Sequence, residues 1–412
     1  MGFGLSTLDF NFYFSHFPRS LTPVCDNLLR AAFEETRRTM ADASTTQAPT
    51  SNRIASIDAL RGFDMLWITG GEEVIHSLYR LYPNSLTQGL STQFQHVAWA
   101  GFRFYDLIFP LFLFIVGVVQ PFSITKRLEA GASRARLYVH LVRRLVILFC
   151  LGLVYNGFLN FNFHELRIAG VLQRIAVCYF LAAMVMMITG VRGQAAVAGG
   201  LLVVYWLVMK FVPVPGIGAG VLTPAGNLSA YIDQHLLPRP FCCYLFGDNE
   251  GILSTIPAVS TCLLGALAGH WLRSSRPPAR KAAGLALAGV ACLVVGWTWG
   301  HWFPIIKNIW TSSYVLFAGG WSLLLLALFY WIIDVRGYRR WTFFFTVIGL
   351  NPITIYLIRS QFDFGDVAMI FVRGFINLIG PYKPLVFDLS VFAVGWLFLY
   401  FLYRQKIFLK VG

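Results

Sequence analysis

Stretches of about 20 mostly apolar residues recur along this chain, separated by short Gly-, Pro- and Arg-rich breaks. That pattern constrains the fold more than any single motif, because a helix of about 20 residues is what the roughly 30 Å hydrocarbon core of a bilayer requires. A soluble domain of 412 residues could not cover its surface with 13% charged and 57% hydrophobic residues, and the mean hydropathy of +0.63 agrees. The expected fold class is therefore all-α, a polytopic membrane helix bundle of about ten transmembrane helices. The spans read as 57–78, 104–122, 137–158, 170–189, 195–213, 251–272, 282–302, 312–333, 341–358 and 385–404. A further apolar run, 364–380, is short and carries Arg373, and reads as a re-entrant or interfacial segment before the last helix. Residues 1–52 change character repeatedly and are expected to be a poorly structured N-terminal segment, with translation starting at Met40; 53–412 form the membrane domain. No internal repeat is visible.

The net charge of +14 would suggest nucleic acid in a soluble protein. Here the basic residues sit in short loops, where they set orientation. Lys126, Arg127, Arg134 and Arg136 follow the second span, Arg273, Arg276, Arg280 and Lys281 the sixth, and Arg336, Arg339 and Arg340 the eighth. Those loops are expected on the cytoplasmic side, with both termini there as well, in the cell (inner) membrane. Cys150, Cys178, Cys262 and Cys292 lie in apolar runs, and Cys242 and Cys243 are adjacent, so no disulfide framework and no metal site are expected.

The chemistry concentrates where polar residues interrupt apolar runs. In HVAWAGFRFYDLIFP, His96 precedes Asp106 by ten residues. On one continuous helix the two would be about 15 Å and roughly 80° apart, so they meet only if the helix breaks, and Gly101 offers the break. Pro110 has no N–H for the Asp106 carbonyl, so that residue's backbone and side-chain oxygens both need other partners. The alternatives are a loop histidine and a buried ion pair of Asp106 with Arg103 or Arg174. Asp58, Arg61 and Asp64 in the first span read as an orienting ion-pair cluster, with Ser56 as N-cap.

Three further groups are expected on the outer side. Arg174, in the first turn of the fourth span, holds a substrate oxygen or Asp106, or snorkels outward. Asp248 and Glu250 precede a helix whose free amides suit an anion, or simply cap it. Lys307, Asn308 and Ser313 lie at the edge of the eighth span among interfacial anchors, and Asn351 before Pro352 adds a polar break that reads as lying near the same level. Four polar groups facing one side suggest a shared outer cavity.

In order, RIASIDALRGFDM, the His96 stretch, GVLQRIAVCYF, DNEGILSTIPA, KNIWTSSYV, GLNPITIYL and LYRQKIFLK resemble segments of the heparan-α-glucosaminide N-acetyltransferase family of transmembrane acyltransferases, over residues 53 to 412. The resemblance implies acetyl transfer from cytosolic acetyl-CoA to the amino group of a terminal glucosamine across the membrane, with no metal. It implies catalytic roles for His96 and Asp106, and it places Trp99 and Pro110 at matching positions. The chain departs at TGGEE (Thr69 to Glu73), where family members often carry asparagine and glycines, so an asparagine role does not carry over. His96 as general base and His96 as acetyl-carrying nucleophile both remain open.

The expected function is thus a membrane acetyltransferase acting on an amino sugar or glycan. The expected partners are acetyl-CoA, that acceptor and membrane lipids, without nucleic acid, and a homo-oligomer is left open. A transporter or flippase for a glycan or lipid precursor is the alternative, and a non-catalytic scaffold the third reading. Inverted repeats and mid-membrane charges would favour transport.

Overall fold

The computed structural model describes residues 54–409, so the expectations for 1–52 and for Met40 lie outside the described residues. Eight of its helices are long and apolar enough to cross a membrane: Phe104–Glu129, Arg134–Tyr155, Val171–Ile188, Val191–Phe211, Thr255–Arg273, Pro278–Trp299, Ser312–Val335 and Gly380–Arg404. They coincide with eight of the ten expected spans, and the protein is a multi-pass helix bundle of the all-α class. The ninth expected span is a broken pair, Thr342–Leu350 and Pro352–Gln361, bent by 67° where Pro352 interrupts the hydrogen-bond ladder. The first is helical over Ala55–Leu66 and Glu72–Leu81, joined by a wide turn with Gly70 at φ 120°. Its charged residues, from Asp58 to Arg80, keep it outside the composition of an apolar span. The run 364–380 forms the nine-residue helix Phe364–Val372 and then turns, too short to cross about 30 Å.

Ile108–Glu129 lies at the centre, with Leu111, Leu113, Phe114 and Val118 fully buried. It packs on Thr255–Arg273 through glycines. A Cβ on Gly117 would lie 2.0 Å from the Cys262 carbonyl oxygen, and one on Gly265 2.0 Å from that of Phe114. Lipid tails are as apolar as leucine, so helices in a membrane associate through such close backbone approach rather than through exclusion of water. At the rim, Pro278–Trp299 and Lys383–Arg404 turn Leu287, Val290, Val294 and Leu397 outward, as helices facing lipid do.

The expected ion-pair cluster of the first span is only partly present. Arg61 Nη1 lies 3.4 Å from Asp58 Oδ1. Asp64 is buried, and neither of its carboxylate oxygens has a hydrogen-bond partner among the described residues. Ser56 does not cap this helix either. Ile54 holds the cap position, because the Ser56 N–H is directed 3.1 Å to Asp334 Oδ2.

Candidate active site

His96 follows the helix Ser85–Gln93 in an irregular stretch, and the break required by its spacing from Asp106 is present. Gly101 has φ 125°, a left-handed conformation that glycine adopts without a Cβ clash. Its N–H donates to the Ile305 carbonyl at 2.8 Å, tying the bend to the loop before Ser312–Tyr330. The chain then re-enters a short turn, Phe104–Leu107, at the head of the central helix.

This fold-back brings His96 Nδ1 to 2.8 Å from Asp106 Oδ1. A carboxylate accepts, so Nδ1 is the donor in this contact. Oδ2 of Asp106 accepts the Arg103 N–H at 3.1 Å and the Val97 N–H at 3.4 Å. The Asp106 backbone oxygen, which Pro110 cannot serve, accepts the Tyr314 hydroxyl at 2.7 Å. Every oxygen of a fully buried aspartate is thus held. Arg103 contributes its backbone and directs its guanidinium to the His96 carbonyl at 3.2 Å instead of pairing with the carboxylate.

Lys307 arrives from the loop before Ser312–Tyr330. Its Nζ lies 2.9 Å from His96 Nδ1, 3.2 Å from Nε2 and 3.4 Å from Asp106 Oδ1. Burial pushes its ammonium below the ordinary lysine range, against the opposing pull of Asp106 and Glu250. The imidazole also lies 4.8 Å from the Tyr105 ring. His96 and Lys307 line a cavity of about 350 Å³ with apolar walls from Ile108, Phe109, Phe112, Ile175, Ile353 and Tyr356.

A second charged group lines the same cavity. Arg167 Nε donates to Asp248 Oδ2 at 2.7 Å, Nη2 donates to Asp248 Oδ1 at 2.5 Å, and Nη2 also bonds Glu250. Burial alone would raise the Asp248 carboxyl, but the Arg167 guanidinium outweighs it and holds it below the usual range. Asp233 accepts the N–H groups of Asp248 at 3.2 Å and Ile252 at 3.0 Å, and burial pushes its carboxyl up to about 6. Cys242 and Cys243, on the cavity wall, are joined in a disulfide. This corrects the expectation of no disulfide. Neighbours along the chain normally point apart, but Cys243 has φ 78° and pairs with Asp248 in a two-residue ladder, so the two side chains meet.

The family model for the catalytic region of heparan-alpha-glucosaminide N-acetyltransferase matches residues 53–294, more than half of the chain. The chain belongs to this family. Among curated relatives, the heparan-alpha-glucosaminide N-acetyltransferase of Mus musculus is 26% identical over 425 residues, covering 89% of this chain and 62% of the relative. That of Homo sapiens is 29% identical over 374 residues, covering 77% and 56%. The chain therefore spans about three fifths of the length of these relatives. His96, Asp106, Arg167, Asp248 and Glu250 lie inside the matched family region, and Lys307 lies beyond it.

The other residues singled out from the family-like motifs are dispersed. Arg174 faces away from the cavity, bonding the Gly251 carbonyl at 3.1 Å and Ser254, with Trp310 under its guanidinium. Trp99 donates to the Leu222 carbonyl at 2.8 Å and packs on Tyr244. Ser313 bonds the carbonyl of Phe303 at 2.5 Å, and Asn308 is half-buried beside Lys307. Asn351 is not level with the outer groups. It bonds Ile407 and Leu409, past the end of the last helix, because the bend before Pro352 turns it toward that tail. Arg167 was not singled out from the sequence, and Tyr314 was read there only as an interfacial anchor beside Lys307. A lone arginine between a polar turn and an apolar span was the only signal for the first.

Proposed function

We propose that the chain is a transmembrane N-acetyltransferase that moves an acetyl group from acetyl-CoA to the amino group of an amino sugar or glycan. The observation that carries this reading is the contact of His96 with Asp106 and Lys307 on the wall of an apolar cavity. Glucosamine as acceptor follows from the names of the relatives. The apolar walls suit the pantetheine arm of the donor. With the basic loops on the cytosolic side, the last helix ends toward the cytosol and the His96 mouth faces outward, in the cell's inner membrane.

The contacts of His96 support the following roles. Asp106 holds the Nδ1–H tautomer and stabilises the imidazolium that forms when Nε2 takes a proton. At rest Lys307 donates to Nε2 and covers the base. An arriving amine displaces it toward Asp106 Oδ1, which frees the lone pair. The amine nitrogen then bonds the thioester carbonyl carbon, the carbon–sulfur bond breaks, and the proton passes through His96 to the departing thiolate. Acetyl transfer to Nε2 followed by attack of the amine uses the same tautomer and would give ping-pong kinetics. Purified protein with labelled acetyl-CoA and glucosamine should yield labelled N-acetylglucosamine, and His96→Ala should abolish it. Undiminished transfer by that variant would remove His96 from the site, and no transfer to any amino sugar would sink the reading.

A further inference from the structure

We infer that the Cys242–Cys243 disulfide is a thiol-exchange site that captures coenzyme A as a mixed disulfide. The inference rests on the reading of the cavity as an acetyl-CoA site, since the product left by acyl transfer is itself a thiol. Both cysteines line the same cavity of about 350 Å³ that His96 and Lys307 line. A thiol released beside His96 is therefore released into the cavity that the disulfide borders.

The pair is held in place rather than trailing from a loop. The Cys242 N–H donates to Asp248 Oδ2 at 3.1 Å, its carbonyl accepts the Asn249 N–H at 3.4 Å, and Cys243 is registered against Asp248. Asp248 is in turn fixed by Arg167. The remaining cysteines among the described residues, Cys150, Cys178, Cys262 and Cys292, are free thiols, so they offer no disulfide for attack.

The exchange balances without an oxidant. The coenzyme A thiolate attacks one Sγ, a new sulfur–sulfur bond forms, and the Cys242–Cys243 bond breaks. Its electron pair stays on the released cysteine, which takes up a proton. Attack by that cysteine on the mixed disulfide restores the pair and expels coenzyme A. While the adduct stands, the cavity stays filled and a new donor is excluded.

The test uses the full chain purified without reductant, incubated with coenzyme A, quenched in acid, alkylated with N-ethylmaleimide and mapped by mass spectrometry. The expected product is one peptide carrying one coenzyme A in disulfide linkage and one maleimide on Cys242 and Cys243. It should be lost on reduction, absent with desulfo-coenzyme A and absent in Cys243→Ser. Because the cavity binds the arm, coenzyme A should react at least about tenfold faster than mercaptoethanol at the same concentration. Three results would overturn the inference: both cysteines alkylated before any thiol is added, an intact pair after coenzyme A, or equal rates for the two thiols. Acetyl transfer measured on the same sample separates the two readings. Adduct without transfer keeps the exchange site and removes the transferase, and transfer without adduct does the reverse.

Discussion

Two charged clusters share one cavity and are built on opposite terms. Arg167 is spent on structure: it is flanked by Asp248 and Glu250, and Asp248 also accepts the backbone N–H groups of Cys242 and Glu250. At the other wall Asp106 is equally satisfied, but the group it holds is not. The His96 side chain is 52% exposed while Asp106 is 1% exposed, and among the described residues only a lysine on a loop approaches the imidazole's Nε2. A saturated cluster can brace a wall, whereas a cluster left one partner short at its exposed end can exchange protons. The contrast implies that damage to the first lowers stability and damage to the second lowers rate.

The largest expected effect is at His96. His96→Ala should lower acetyl transfer by about 10³-fold or more, within the range for loss of a general base, while its thermal melt shifts by no more than about 1 kcal/mol equivalent. Arg167→Met should do the opposite. It leaves two buried carboxylates without their cation, a loss of about 3–5 kcal/mol that should appear as a lower melting temperature in detergent. Adding Asp248→Asn to Arg167→Met should recover part of it. Normal melting with abolished transfer in Arg167→Met would make Arg167 a substrate group, and the contrast would collapse.

Asp233 sharpens the same comparison through pH. Burial raises its folded-state carboxyl to about 6, above the ordinary 3.8. The stabilisation from holding the proton is fully present below the unfolded value and is lost as pH rises through 6. Between pH 7 and pH 5 this group alone should add about 1.4 kcal/mol of stability. Asp233→Asn should melt lower overall, since its amide meets a backbone N–H, but it should lack that rise. An identical rise in both proteins would place the titration elsewhere.

The spans were legible because apolar length is a local property. Eight ranges read from composition match helices, and the failure of 341–358 to run straight was foretold by Asn351–Pro352. The bend at Gly101 was legible for a geometric reason: ten residues of helix cannot join His96 to Asp106. What stayed hidden depends on contacts distant in sequence. Lys307 approaches His96 from 211 residues away, and Arg167 reaches Asp248 across 81. Arg167 and Arg174 lie seven residues apart, yet the first lines the cavity and the second bonds the Gly251 carbonyl away from its wall. The disulfide was missed because side chains of consecutive residues point apart unless the backbone takes a conformation such as that of Cys243.

The smallest expected effect isolates how Asp106 is held at the head of its helix. Tyr314→Phe removes the hydroxyl that serves the Asp106 carbonyl, an acceptor that Pro110 cannot satisfy. The loss should be about 1 kcal/mol, seen as a modest fall in melting temperature, with a small decrease in transfer as Asp106 loosens. Pro110→Ala supplies the missing N–H four residues on, so the carbonyl gains a second donor and no longer depends on Tyr314. In a double-mutant cycle, Tyr314→Phe should therefore cost less in the Pro110→Ala background than in the parent. Strict additivity would mean that the tyrosine acts by packing against Phe102 and Trp310 rather than by completing the aspartate's hydrogen bonds.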